Sequence, residues 1–346
     1  MTLPQQCLST LTLLFLILLS NFTLASVPST QPQDMLLSGY NYPYPVKTLE
    51  LSKLGQPASM AYMDVPSSTA APARGTVLLL HGKNFSAAYW ADSIAALTEQ
   101  GYRVIAPDQI GFGKSDKPLM PYNLHGMAAD TEALLNTLKV TRVSVVGHSM
   151  GGMLATRFSL MYPEMVEKLA LINPIGLEDW RRFVPYEPLE QAILREQAQT
   201  PEGIKNYMLK AYFDGKWRES YNSLLDIQAG WTLGPDSRHI AKIDALTSEM
   251  VFTQPVLYEF ADLQVPTLLI IGTRDRTAIG RTRAAEPIRK TLGRYELLGK
   301  KTASVIPGAQ LIEFDGVGHL PQFETFSDYF KALSEFLKEE TQQVSD

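Results

Sequence analysis

A chain of 346 residues, 45% of them hydrophobic, is long enough for one large domain with an insertion and has the composition of an ordinary globular protein. A formal net charge of -5, with Lys and Arg spread along the chain, excludes the electrostatic footprint of a nucleic-acid or anionic-membrane binder and leaves a neutral or mildly polar small molecule as the expected partner. The single cysteine, Cys7, excludes a disulfide framework.

Residues 1–25 read as a signal peptide, because the apolar run Leu11 to Leu19 is followed by the small-residue site Thr23-Leu24-Ala25. The run, about 14 mostly apolar residues, falls short of the roughly 20 that a spanning helix needs. Cleavage near Ala25 is therefore expected, giving a periplasmic or secreted protein with no stable membrane insertion and no thiol. Residues 26–38 are polar and irregular. Lys47 to Leu51 and Ser59 to Val65 then alternate in the manner of an opening pair of strands.

After the loose linker Pro66 to Gly75, five short apolar runs read as buried strands: Thr76 to Leu80, Arg103 to Pro107, Val143 to Val146, Lys168 to Ile172 and Pro266 to Ile271. Helix-length segments follow them, among them Ala87 to Gln100, Leu124 to Leu138 and Met153 to Met161. Ala309 to Phe314 and Thr325 to Lys338 supply a last strand and a last helix. This βα repetition predicts an α/β fold around a parallel sheet covered on both faces. Between residues 176 and 260 the pattern breaks into a helical stretch rich in Tyr, Trp, Arg and Glu, too long for a structureless loop, so it is expected to form a lid. The core is then divided into residues 26–175 and 261–346.

The sharpest local signal is Val143-Ser144-Val145-Val146-Gly147-His148-Ser149-Met150-Gly151-Gly152, a strand that enters G-x-S-x-G and leaves as a helix. Small residues on both sides of Ser149 permit a tight strand-to-helix turn that presents the hydroxyl at the carboxyl end of the sheet, near the positive end of the next helix. A serine hydroxyl is a weak nucleophile until a base takes its proton and a third group orients that base. Of the histidines after Ser149, His239 falls within the expected lid, whereas His319 stands in the glycine-flanked loop Asp315 to Pro321 after the last strand. Asp275 follows the buried run Pro266 to Ile271. Its rivals are Asp262, on the wrong edge of the sheet, and Asp315, on the exit of another strand.

Acyl transfer also needs donors for the developing oxyanion. The backbone N–H groups of Met150 and Lys83 are the candidates, with Asn84 an open alternative in the loop His81 to Phe85. Asn84 and Phe85 are also expected to face substrate. His81 is expected to be structural. No His or acid spacing suits a metal, and Gly111 to Ser115 lacks the glycine placement of a phosphate loop.

Taken together, His81-Gly82, Asp108-Gln109-Ile110-Gly111-Phe112-Gly113-Lys114-Ser115, Gly147 to Gly152, Asp275 and His319 resemble the landmark series of the α/β-hydrolase superfamily. More narrowly they resemble its lidded branch of esterases, C–C bond hydrolases, epoxide hydrolases and haloalkane dehalogenases. Over residues 40–340 the resemblance implies a mostly parallel eight-stranded sheet flanked by helices, an inserted helical cap, and no metal or organic cofactor. It also implies that Asp108 and Ser115 hold the turn that shapes the site. Epoxide hydrolases and dehalogenases of that branch carry Asp where this chain has Ser149, which disfavours both activities. The Gly-His-Ser-Met-Gly-Gly elbow likewise differs from the Trp-bearing elbow of proline iminopeptidases. The expected activity is hydrolysis of a carboxylic ester or related acyl compound, with C–C bond hydrolysis by the same triad or a non-catalytic ligand-binding role as alternatives.

Overall fold

The computed structural model describes residues 30–71 and 73–339, so the expected leader, its expected cleavage near Ala25 and Cys7 lie outside the described residues. Eight strands form one sheet in the order β1-β2-β4-β3-β5-β6-β7-β8. They are β1 (Val46–Lys53), β2 (Gln56–Val65), β3 (Gly75–Leu80), β4 (Tyr102–Pro107), β5 (Val143–His148), β6 (Val166–Ile172), β7 (Thr267–Gly272) and β8 (Gln310–Phe314). The pairs β1–β2 and β2–β4 are antiparallel and all the others parallel. This is the α/β fold that the βα repetition predicts, with the mostly parallel eight-stranded sheet that the resemblance implies.

Every residue of β5 and β7 is buried, as strands covered on both faces require. Alternation sends neighbouring side chains to opposite faces. Leu78, Val145, Leu171 and Ile271 meet helices α2 (Leu124–Thr137) and α3 (Met150–Met161) on one side. Val77, Val146, Ile172 and Ile270 meet α1 (Ala91–Glu99) and the last helix, Phe326–Lys338, on the other.

Strand β3 lies between β4 and β5, so the chain winds outward from it in one direction and then in the other. The carboxyl ends of β3 and β5 consequently flank the crevice where open α/β sheets bind their ligands. The loop His81 to Phe85 and Ser149 both emerge there.

Three elements differ from the sequence reading. The stretch expected as one helix from Ala87 begins with a separate 3₁₀ turn, Ala87–Trp90, whose first N–H groups are capped by Ser86 Oγ at 3.3 Å and by the Asp108 carboxylate at 2.7 Å. Helix α3 begins at Met150, directly after Ser149, rather than at Met153. A helix at Tyr295–Ala303, which no apolar stripe announced, packs against β7 and β8. Gly299 permits that approach, since a Cβ there would lie 2.9 Å from Ile271 Cγ1.

The segment marked as a lid contains α4 (Leu189–Gln197), α5 (Pro201–Ala211), α6 (Asn222–Leu233) and α7 (Ser237–Thr253), with α4 packed on α7 and α5 on α6. Ile204, Met208, Tyr212, Phe213, Tyr221 and Leu224 form an apolar cluster of their own, which Phe85 and Leu320 join from the core.

Residues 31–42, which overlap the stretch 26–38 read from sequence as irregular, form a strap between lid and core. Gln33 N–H donates to Gly230 O at 3.0 Å, Met35 N–H to the Asp236 carboxylate at 2.9 Å, and Trp231 Nε1 to Asp34 O at 3.1 Å. Leu37 is fully buried with Ile227, Trp231 and Ile240. At the core end the Tyr42 hydroxyl donates to Asp108 Oδ2 at 2.6 Å. Asp108 also accepts from Lys114 N–H at 2.7 Å, and Ser115 Oγ donates to the Asp108 carbonyl at 2.6 Å, so both residues hold the turn as expected.

Candidate active site

The turn at the end of β5 is as tight as the glycine pattern demands. A Cβ on Gly147 would lie 2.3 Å from Gly151 O, and one on Gly151 would lie 2.1 Å from Leu80 O. Ser149 adopts φ 57° and ψ −120°, a sparsely populated conformation for a residue with a side chain. The surroundings impose it: Ser149 N–H donates to Ile172 O at 3.2 Å, and Ser149 O accepts from Gly152 N–H at 2.9 Å and Ile175 N–H at 3.2 Å.

Ser149, His319 and Asp275, far apart in sequence, converge into one chain of contacts. His319 Nε2 lies 3.0 Å from Ser149 Oγ, and His319 Nδ1 lies 2.6 Å from Asp275 Oδ2. Asp275 is fully buried; burial pushes its carboxyl up, but the imidazole of His319 and the donors on Thr277 outweigh this and hold it below its ordinary value. An ionised Asp275 accepts from Nδ1–H, which leaves Nε2 as the acceptor of the Ser149 hydroxyl proton.

Neither neighbouring arginine forms its ion pair with Asp275. Arg274 pairs with Glu324, and Arg276 pairs with Glu296 at 3.0 Å. Of the rival acids, Asp315 accepts from Thr273 Oγ1 at 3.0 Å, and Asp262 ends the 3₁₀ turn before β7. His239, in α7, makes a 2.7 Å contact through Nε2 with Lys117 O and tethers lid to core.

Three supports were not singled out from sequence. Asn173, next after β6, donates through Nδ2 to Asp275 Oδ2 at 2.8 Å and accepts from Gly272 N–H at 2.8 Å, fixing the acid against its own strand. Its signal was available: a lone amide at the carboxyl end of a buried strand, at the edge where the site lies. Tyr212 of the lid stacks on the His319 ring, centroids 4.7 Å apart. Arg274 donates to Tyr212 O at 3.1 Å and to Gly316 O at 2.8 Å, tying that lid residue to the loop that carries His319.

His148 is the third. It is fully buried, and burial together with the neighbouring His319 pushes its pKa well below the usual value, so it is neutral. Its Nε2 lies 2.9 Å from His319 O and its Nδ1 lies 3.0 Å from the Tyr89 hydroxyl. Since a carbonyl only accepts, Nε2 carries the proton and Tyr89 donates to Nδ1. Tyr89 Oη in turn accepts from Gly82 N–H at 3.2 Å. One neutral hydrogen-bonded chain thus joins the β3 loop to the backbone of His319. The same logic holds for His81, whose Nε2 accepts from Gln109 N–H at 3.0 Å and whose Nδ1 therefore donates to Gly82 O at 2.9 Å, a structural role as expected.

In the β3 loop, Phe85 N–H donates to Gly82 O at 3.2 Å, and Asn84 takes φ 69° to close the turn. The loop backbone runs close to the elbow: a Cβ on Gly82 would lie 3.0 Å from Ser149 Cβ. Lys83 and Asn84 line a cavity of about 1120 Å³ beneath the lid, with Ser149 in its floor. The N–H of Met150, in the first turn of α3, has no acceptor within its helix. Phe85, expected to face substrate, does not line this cavity. It stacks on Tyr89 at 5.0 Å and enters the apolar cluster of the lid.

A family model of the alpha/beta hydrolase fold matches residues 75–326. The crystal structure of a probable hydrolytic enzyme from Pseudomonas aeruginosa is 46% identical, with a TM-score of 0.87 over 90% of this chain and 99% of that one. A 2-hydroxy-6-oxononadienedioate/2-hydroxy-6-oxononatrienedioate hydrolase from Burkholderia vietnamiensis is 28% identical over 76% of this chain and 86% of its own length. An uncharacterized protein of Mycobacterium tuberculosis is 38% identical over 101 residues, and that match spans only 29% of either chain. With its sheet order, its elbow and the match over residues 75–326, the chain belongs to the alpha/beta hydrolase family.

Proposed function

We propose that the protein is a serine hydrolase that cleaves a carboxylic ester or related acyl compound. The observation that carries this reading is the unbroken relay Ser149–His319–Asp275 at the floor of the lidded cavity. His319 Nε2 takes the Ser149 proton as Oγ attacks the acyl carbon. The tetrahedral oxyanion is met by the N–H groups of Met150 and Lys83, and the alcohol leaves with the proton from His319. A water then gives its proton to His319, attacks the acyl-enzyme and releases the acid, and Ser149 regains its proton. Asp275 stays ionised throughout and steadies the transient imidazolium.

Treatment with a fluorophosphonate is expected to add one phosphonyl group to the intact protein, read by mass spectrometry, and none to Ser149→Ala. An unlabelled wild type overturns the serine reading and favours the non-catalytic alternative. C–C bond hydrolysis is the second reading, favoured by the relative named as a 2-hydroxy-6-oxononadienedioate hydrolase. Product analysis on a vinylogous diketone acid separates it from ester cleavage.

Asn173→Ala is expected to lower kcat on a 4-nitrophenyl ester by about 10-fold to 100-fold with little change in KM, the equivalent of one hydrogen bond to a charged group. Steady-state kinetics check it, and an unchanged kcat removes Asn173 from the machinery.

A further inference from the structure

The wall of the cavity carries more positive than negative side chains, in a chain whose formal net charge is -5. Lys83, Lys210 and five arginines face four acids, Glu187, Glu196, Asp244 and Glu249. Three of those acids are already engaged within the wall itself: Glu187 with Arg195 at 3.0 Å and Arg283 at 2.9 Å, Glu196 with Arg195 at 2.7 Å, and Glu249 with the Tyr186 hydroxyl at 2.6 Å.

The fourth, Asp244 of α7, faces Lys83 at 3.6 Å, an ion-pair separation too long for a hydrogen bond. Burial raises the Asp244 carboxyl above its ordinary value, with Lys83 working against it, so the acid is a reluctant counter-ion. The Lys83 side chain is 10% exposed, and its ammonium makes one short hydrogen bond, to Asn84 Oδ1 at 2.8 Å. An ammonium has three donors. Lys83 lines the same cavity as Ser149 and directly follows Gly82, where a Cβ would lie 3.0 Å from Ser149 Cβ.

We infer that Lys83 receives a carboxylate on the acyl part of the substrate, so that the preferred substrates are monoesters of dicarboxylic acids rather than neutral esters. This rests on the reading of Ser149 as an acylated nucleophile. A carboxylate brought to Lys83 forms the short charge-assisted contact that Asp244 does not make. Because the anchor is on the acyl part, it holds the reacting carbon in place through both acylation and deacylation. The aromatic and aliphatic wall, which includes Ile175, Ile204 and Ile279, accepts the methylene chain between the two ends.

The test compares kcat/KM for the 4-nitrophenyl monoester of adipic acid with that for 4-nitrophenyl hexanoate, which has the same acyl length and no charge. Wild type is expected to favour the anionic ester by about 10-fold to 100-fold, the range of one hydrogen bond to a charged group. Lys83→Met is expected to bring the ratio to about one, Lys83→Arg to keep most of it, and Asp244→Asn, which removes the competing carboxylate, to raise it. A wild type that takes the phosphonyl label yet shows a ratio near one overturns the inference alone, as does a Lys83→Met variant that labels and keeps the preference. A wild type that takes no label overturns the serine reading itself, and the inference with it.

Discussion

Ser149→Ala is expected to reduce kcat on activated esters by on the order of 10⁴-fold to 10⁶-fold while leaving the fold and KM nearly unchanged. The Oγ is the one atom in the described site that His319 Nε2 reaches at 3.0 Å, and the strained φ of 57° is set by backbone contacts with Ile172, Gly152 and Ile175 that alanine keeps. The elbow therefore survives the loss of the hydroxyl. His319→Ala should cost about as much, and the double variant little more than either, because the two act as one unit. Stopped assays with each variant, alongside thermal unfolding, check the set. An activity within a few-fold of wild type in Ser149→Ala overturns the nucleophile assignment.

Asp275→Asn is expected to lower kcat by about 10⁴-fold, and the reason lies in the contacts on both carboxylate oxygens. Oδ1 accepts from Thr277 N–H at 2.8 Å, while Oδ2 accepts from Asn173 Nδ2 at 2.8 Å and His319 Nδ1 at 2.6 Å. An amide in that position must aim its NH₂ at a donor whichever way it turns. Facing Thr277, it sets two donors against each other in a dry site. Facing His319, it forces the proton onto Nε2, and the base can no longer accept from Ser149. Both orientations are costly, so the variant should also unfold at lower temperature than wild type. Full activity in Asp275→Asn would transfer the acid's role to another residue.

Ser149 and Asp275 were legible because each follows a strand whose burial is written in its own sequence, and His319 because of the loop it stands in. Val143 to Val146 and Pro266 to Ile271 mark two such strands, and the loop after Phe314 is singled out by its glycines and its histidine. What failed to show was decided by tertiary contacts. Phe85 reads equally well as a substrate contact and as a lid anchor, and only its packing on Tyr89 and the lid cluster chooses the second. Tyr212 is one aromatic among many in a helical stretch, and nothing local places it over His319. The pair Gly151-Gly152 delayed the expected start of α3, since glycine weakens helices. The structure uses both for close approach instead, to Leu80 O and to Pro174 Cβ.

The strap of residues 31–42 changes what must be moved together if this fold is re-engineered. It lies ahead of the segment 75–326 that the family match covers, yet it is threaded against α6 and α7. A Cβ at Gly234 would stand 1.8 Å from the Gln33 carbonyl oxygen, so helix and strap are shaped for each other. A chimaera that exchanges only residues 176–260 with those of a relative seats foreign helices on a strap cut for different ones. The unit that must be exchanged together is therefore split in two along the gene, and the shorter part comes first.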